Sequence, residues 1–211
     1  MIATLSVLVA ISALLHVRAE YRGPRWQVYV FKPLTTTLIL GVALSAPEPI
    51  SSIYQLAIAL GLLLSLAGDI FLMLPSDRFT FGLISFLLAH LCYVAAFASF
   101  GEPPWSPWAA APFVAYGLVL LSLLWRHLGR YRAAVVVYAS VLLVMGWQAT
   151  EQYLAVAETR ALVALGGAVL FVISDSALAW NRFARRFRLA QAVVLSTYFA
   201  AQWLIAVSVY S

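Results

Sequence analysis

Three ionisable residues stand inside long apolar runs of this chain: Lys32, Asp69 and Asp175. A charge in hydrocarbon costs about 3 kcal/mol even on the mildest insertion scales, so each one is a candidate for chemistry. Two carboxyls that share a low-dielectric pocket do not both ionise readily, and one of them keeps its proton. An acid and a base then lie side by side, which suits hydrolysis of an acid-labile bond without a metal. A neighbouring Lys32 would hold one carboxylate ionised or grip a substrate phosphate. The same three groups also suit cation or proton-coupled transport, and from the residues alone that alternative stays open. A Lys–Asp pair can also be mere glue between helices. Two aspartates against one lysine, however, leave one carboxylate without a partner.

Other chemistries are poorly served. The histidines are His16, His90 and His127; only His90 is expected to lie deep, and no His-x-x-x-His or Glu-x-x-His pair occurs. A histidine-rich zinc site is therefore not expected. The single cysteine, Cys92, excludes an internal disulfide and a cysteine metal cluster. No Gly-x-Ser-x-Gly elbow marks a serine nucleophile. No cofactor is implied. Helical spacing widens the acid pair into a lining. Gly61, Ser65 and Asp69 form one stripe, Tyr29, Lys32 and Thr36 another, and Phe86, His90 and Tyr93 a third, with Gln191, Tyr198 and Gln202 on a fourth. Together they are expected to face a polar cavity. Asp77 and Glu151 read as loop or span-end charges with no special role.

The elements that must position these groups are membrane helices. Of 211 residues, 64% are hydrophobic and 10% charged, and the mean hydropathy is +0.95. A soluble domain has about a quarter charged residues. A water-soluble enzyme, a nucleic-acid binder and a disordered chain are thereby excluded, and the basic balance reads as topology signal. About eight apolar runs are long enough to span a bilayer: 2–17, 27–45, 52–74, 81–100, 108–125, 133–152, 159–180 and 189–210. They are continuous rather than alternating, which argues against a β-barrel. The first lacks a preceding basic residue and a cleavage site, so it is read as an uncleaved span. The connections are short, so residues 1–211 form one all-α polytopic bundle.

Orientation follows from the arginines. Odd-numbered loops carry Arg18, Arg22, Arg25, Arg78, Arg126, Arg130, Arg132, Arg182, Arg185, Arg186 and Arg188; even-numbered loops and both termini carry only Arg160. The odd loops are therefore expected in the cytoplasm and both termini on the opposite side. Lys32, Asp69 and Asp175 then all lie about 8–9 Å inside the cytoplasmic boundary, at 1.5 Å per residue. One shared depth favours one shared site. A faint 4+4 parallel repeat accompanies this: an offset of 106 positions maps Asp69 onto Asp175 and Lys32 onto Tyr138.

The run Gly68-Asp69-Ile70-Phe71-Leu72-Met73-Leu74, with Phe81-Gly82 and Ala89-His90-Leu91-Cys92-Tyr93 after it, resembles the YhhN family, bacterial relatives of lysoplasmalogenase. So do Phe31-Lys32-Pro33 and Ser174-Asp175-Ser176 leading to Asn181-Arg182-Phe183. The resemblance covers essentially the whole chain. It implies a cofactor-free hydrolase of the bacterial inner membrane with about eight spans. Such an enzyme cleaves the vinyl-ether bond of lysoplasmalogens to a fatty aldehyde and glycerophosphoethanolamine or glycerophosphocholine. Asp69 and Asp175 would be its catalytic acids. On that reading its partners are a lysophospholipid and the bilayer. Lys32, His90, Tyr93, Asn181 and Arg182 are the candidate substrate-binding residues, with the phosphate headgroup near the cytoplasmic interface.

Overall fold

A computed structural model describes residues 1–75, 78–99 and 105–210. Asp77 and residues 101–104 lie outside the described residues. Among the described residues eight α-helices follow one another: α1 (Ile2–Arg22), α2 (Arg25–Leu44), α3 (Ser52–Met73), α4 (Phe79–Ala98), α5 (Pro107–Leu124), α6 (Arg132–Val156), α7 (Thr159–Ala179) and α8 (Ala190–Val207). A 3₁₀ turn, Gly129–Tyr131, leads into α6, and a π-helical turn, Trp180–Ala184, extends α7. All eight are long and apolar enough to cross a membrane. Among the described residues there is no strand, only one isolated bridge between Pro49 and Tyr210.

Helices in a bilayer gain no hydrophobic drive from meeting one another, so close backbone approach over small residues must hold them. That happens at Gly61, where a Cβ would stand 2.3 Å from the Tyr93 ring, and at Gly68, where it would stand 2.6 Å from the Phe86 ring. Both contacts lock α3 to α4. Gly167 does the same for α7 and α8, its missing Cβ position lying 2.9 Å from the Ala201 carbonyl oxygen. The hairpins α1–α2, α3–α4 and α7–α8 are the tightest pairs; α2 also packs on α3 and α8, and α6 on α4, α5 and α7. Large apolar side chains such as Leu14, Leu56, Leu118 and Leu162 point outward, to where lipid would lie.

Three helix ends differ from the apolar runs. Helix α1 continues to Arg22, so His16 is fully buried within a helix rather than set at a span end. Helix α6 continues to Val156, which makes Glu151 a fully buried acid instead of a loop charge. Its Oε1 accepts the Ser106 backbone N–H at 2.7 Å and the Trp147 indole N–H at 2.8 Å. Beyond α7, Asn181 and Arg182 ride on the π-helical turn rather than in a loop. For α1 and the turn after α7 the cause lies in the arginines: they end an apolar run, yet their stems can lie along a helix with the charged head at the interface. Glu151 stays within its helix because the Ser106 and Trp147 N–H groups satisfy its carboxylate inside the protein.

Candidate functional site

Asp69 sits on the last turns of α3, one turn beyond Ser65 and two beyond Gly61, on the face pressed against α4. It is 1% exposed. Three side chains from two other helices converge on it. The Lys32 Nζ of α2 lies 3.3 Å from Oδ1, while the Thr36 hydroxyl of α2 and the Tyr198 hydroxyl of α8 each donate to Oδ2 at 2.7 Å. Lys32 and Thr36 are one turn apart, so one face of α2 delivers both the cation and the donor.

Asp175 lies near the end of α7, and among the described residues no lysine pairs with it. The Tyr138 hydroxyl of α6 donates to its Oδ2 in a short hydrogen bond. The His90 Nε2 of α4 stands 3.9 Å from the same oxygen. Asp175 is therefore partnered, although not by lysine. The positions that the 106-residue offset pairs, Lys32 and Tyr138, each contact the aspartate of their own half.

Both aspartates line one cavity of about 740 Å³. Its deep wall includes Lys32, Phe86 and Tyr198; its mouth, at the arginine-rich end of the bundle, includes Glu20, Arg25, Asn181, Arg182, Arg186 and Gln191. A second, narrow hollow of about 60 Å³ runs among α4, α5, α6 and α7 and is lined almost wholly by apolar side chains. Phe86 and Asp175 belong to both walls.

Five of the seven residues singled out by sequence thus meet at one cavity: Lys32, Asp69, Asp175, Asn181 and Arg182. His90 and Tyr93 do not line it. His90 is fully buried behind Asp175, ringed by Phe171 at 4.6 Å, Tyr138 at 5.3 Å and Tyr93 at 6.3 Å between ring centroids. Neither of its ring nitrogens makes a hydrogen bond among the described residues. Tyr93 is equally buried, and its hydroxyl lies 3.3 Å from that of Ser65. Both face the acids from behind rather than from the cavity.

Sequence reasoning missed Tyr138 as the partner of Asp175, and Glu20, Arg25 and Arg186 at the mouth. The offset from Lys32 was the one signal for Tyr138. No group of three or more His, Cys, Asp or Glu side chains among the described residues could hold a metal ion. Two carboxyls, one with a lysine and hydroxyl donors, the other with a tyrosine, on the wall of a cavity open at one end can deliver a proton and activate water.

The fold and the site define a polytopic membrane protein of eight helices built around a polar cavity with an acid pair. The sequence model of the YhhN family matches residues 27–209, and the chain belongs to that family. The uncharacterized membrane protein YhhN of Escherichia coli O157:H7 and that of Shigella flexneri are each 38% identical to it over 206 residues, covering 97% of both chains. Human lysoplasmalogenase TMEM86A is 35% identical over 156 residues, which is 72% of this chain and 64% of the relative. Pig lysoplasmalogenase TMEM86B is 37% identical over 155 residues, 70% of this chain and 61% of the relative. No solved structure matches.

Proposed function

We propose that this protein is a lysoplasmalogenase-like hydrolase of the bacterial inner membrane, cleaving the vinyl-ether bond of lysoplasmalogens by aspartate acid–base catalysis. The observation that carries this reading is the pair Asp69 and Asp175 on the wall of one cavity. The names of the mammalian relatives supply the reaction class.

A vinyl ether, R–CH=CH–O–R′, is stable to base and labile to acid. Proton addition to its β-carbon from one protonated aspartate gives the oxocarbenium ion R–CH₂–CH=O⁺–R′. Water adds at the α-carbon and loses its proton to the ionised aspartate, giving a hemiacetal. The hemiacetal collapses to the aldehyde R–CH₂–CHO and the alcohol HO–R′, with one water consumed. An anionic carboxylate beside the cationic intermediate also lowers its energy, most strongly where bulk water is kept out. Lys32, Asn181, Arg182 and the further arginines at the mouth offer charge and donors to a phosphodiester headgroup.

The test is aldehyde release from a lysoplasmalogen by purified protein in detergent, where no gradient exists. Asp69→Asn and Asp175→Asn are each expected to cut the rate at least a hundredfold, the range for loss of a general acid or base. Both should stay folded, as judged by helical circular dichroism and a monodisperse elution profile. Full activity in either variant would reject the acid–base assignment.

A further inference from the structure

The two hollows share Asp175 and Arg182 among their polar lining, and Asp175 is the one acid common to both. The large cavity is polar and open at the arginine-rich end; the narrow one is apolar, lined by Leu83, Leu121, Leu124, Ala139 and Leu142, and both walls include Asp175. Asp69 belongs to the polar cavity alone. A lysoplasmalogen has the same two-part build. Its glycerophospho headgroup is polar, its single alkenyl chain is apolar, and the vinyl-ether bond is the joint between them.

We infer that the substrate lies across both hollows, headgroup in the polar cavity and alkenyl chain in the slot between α4 and α6, so that Asp175 protonates the β-carbon and Asp69 takes the proton of the attacking water. This rests on the hydrolase reading and adds to it a chain site and a division of labour.

Several features support that placement. The β-carbon belongs to the chain side of the bond, and only the acid common to both hollows can face it. Tyr138 donates to Asp175 Oδ2, while Oδ1 takes no hydrogen bond among the described residues and can carry the proton to be delivered. Asp69, by contrast, meets only donors: Lys32 near Oδ1, with Thr36 and Tyr198 at Oδ2. Such surroundings suit an acceptor. Water reaches Asp69 through the polar cavity, whose mouth carries the charged residues. The slot, of about 60 Å³ against 740 Å³ for its neighbour, takes the first few carbons of one unbranched chain. Helix α5 packs on α6 and the π-helical turn, while α4 packs on α3 and α6, so the α4–α5 flank has little helix contact to close it. The rest of a long chain can leave there into the bilayer.

Chemically, Asp175 gives its Oδ1 proton to the β-carbon as the double bond supplies the electron pair, and the positive charge falls on the α-carbon and ether oxygen. Water then bonds to the α-carbon and its proton passes to Asp69. Collapse of the hemiacetal moves the hydroxyl proton to the leaving alkoxide, and proton transfer through the cavity water from Asp69 to Asp175 restores both acids.

Binding tests the chain site without turnover. Full-length protein in nanodiscs is titrated with a radiolabelled saturated hexadecyl-ether glycerophosphoethanolamine, which cannot be hydrolysed, and with chainless glycerophosphoethanolamine as competitor. Ala139→Phe, which fills the slot, should weaken the hexadecyl ligand at least tenfold and leave the chainless one unchanged. Unchanged hexadecyl affinity, or equal loss of both ligands in a folded variant, overturns the chain site. Leu121→Trp is read by the same criteria should Ala139→Phe not fold.

The division of labour is tested by azide, a nucleophile with no proton to lose. In Asp69→Asn, azide should restore substrate consumption and leave an α-azido ether, whereas Asp175→Asn should gain nothing. Rescue of Asp175→Asn, or of neither, overturns the assignment. A wild-type protein that releases no aldehyde would retire the hydrolase reading, while the binding experiment still decides the chain site.

Discussion

Asp69 and Asp175 share a residue type and a depth, but their neighbours differ. Asp69 has a lysine within 3.3 Å and two hydroxyl donors; Asp175 has Tyr138 on one oxygen and the His90 ring 3.9 Å away. Tyr138→Phe removes one hydroxyl and keeps the ring that packs on His90. The expected result is a kcat lower by about tenfold, equivalent to about 1.4 kcal/mol of transition-state stabilisation, with affinity for the saturated ether analogue unchanged. A proportionate loss of affinity would assign Tyr138 to substrate binding instead. The acids themselves were legible from sequence, because an ionisable group in an apolar run is costly wherever it faces. Tyr138 was not, because tyrosine in such a run is ordinary and only its contact with Asp175 sets it apart. His90 and Tyr93 were expected to face the polar cavity, yet their face of α4 is the packed side of the site and neither lines the cavity. Helical spacing tells which residues look the same way, not whether a void or a ring lies opposite.

At the scale of the element, the site depends on how closely α3 meets α4 and α7 meets α8. Gly68 lets the Phe86 ring lie against α3 one residue from Asp69, and Phe86 in turn walls both hollows. At Gly167 the neighbour is the backbone of another helix. A Cβ there would meet the Ala201 carbonyl oxygen at 2.9 Å and the Ile205 side chain at 2.7 Å. The first of these is backbone and cannot swing away, so α7 and α8 would have to part. Overpacking of this kind costs about 1–3 kcal/mol, and Gly167→Ala should lower the midpoint of thermal unfolding in detergent. Gly166→Ala is the paired control, since its Cβ would find only Leu204 at 3.7 Å; equal midpoints in the two variants would contradict the close α7–α8 approach. That eight helices exist was readable from hydropathy alone. Where they stop was less so, because the apolar runs end at Val17 and Gln152 while the helices continue to Arg22 and Val156.

For the whole molecule, the even number of helices puts both chain ends on one side, and the mouth of the polar cavity opens at the other, among Arg25, Arg182 and Arg186. The arginine bias expects that second side to be the cytoplasm. Helix α2 packs on α8 and α6 on α4. Asp69 and Asp175 line the same polar cavity, so with the orientation that the arginines lead one to expect, a lysolipid would arrive with its headgroup at the cytoplasmic leaflet. Cysteine labelling checks the orientation directly. With the native Cys92 replaced by serine, single cysteines are placed at Glu48, exposed in the α2–α3 connection, and at Arg185, exposed after α7. Intact spheroplasts treated with a membrane-impermeant maleimide should label Glu48→Cys at once and Arg185→Cys only after permeabilisation. The opposite pattern would turn the cavity mouth outward and require the lysolipid to come from the outer leaflet, leaving the acid pair unchanged but reversing the side on which its products are released.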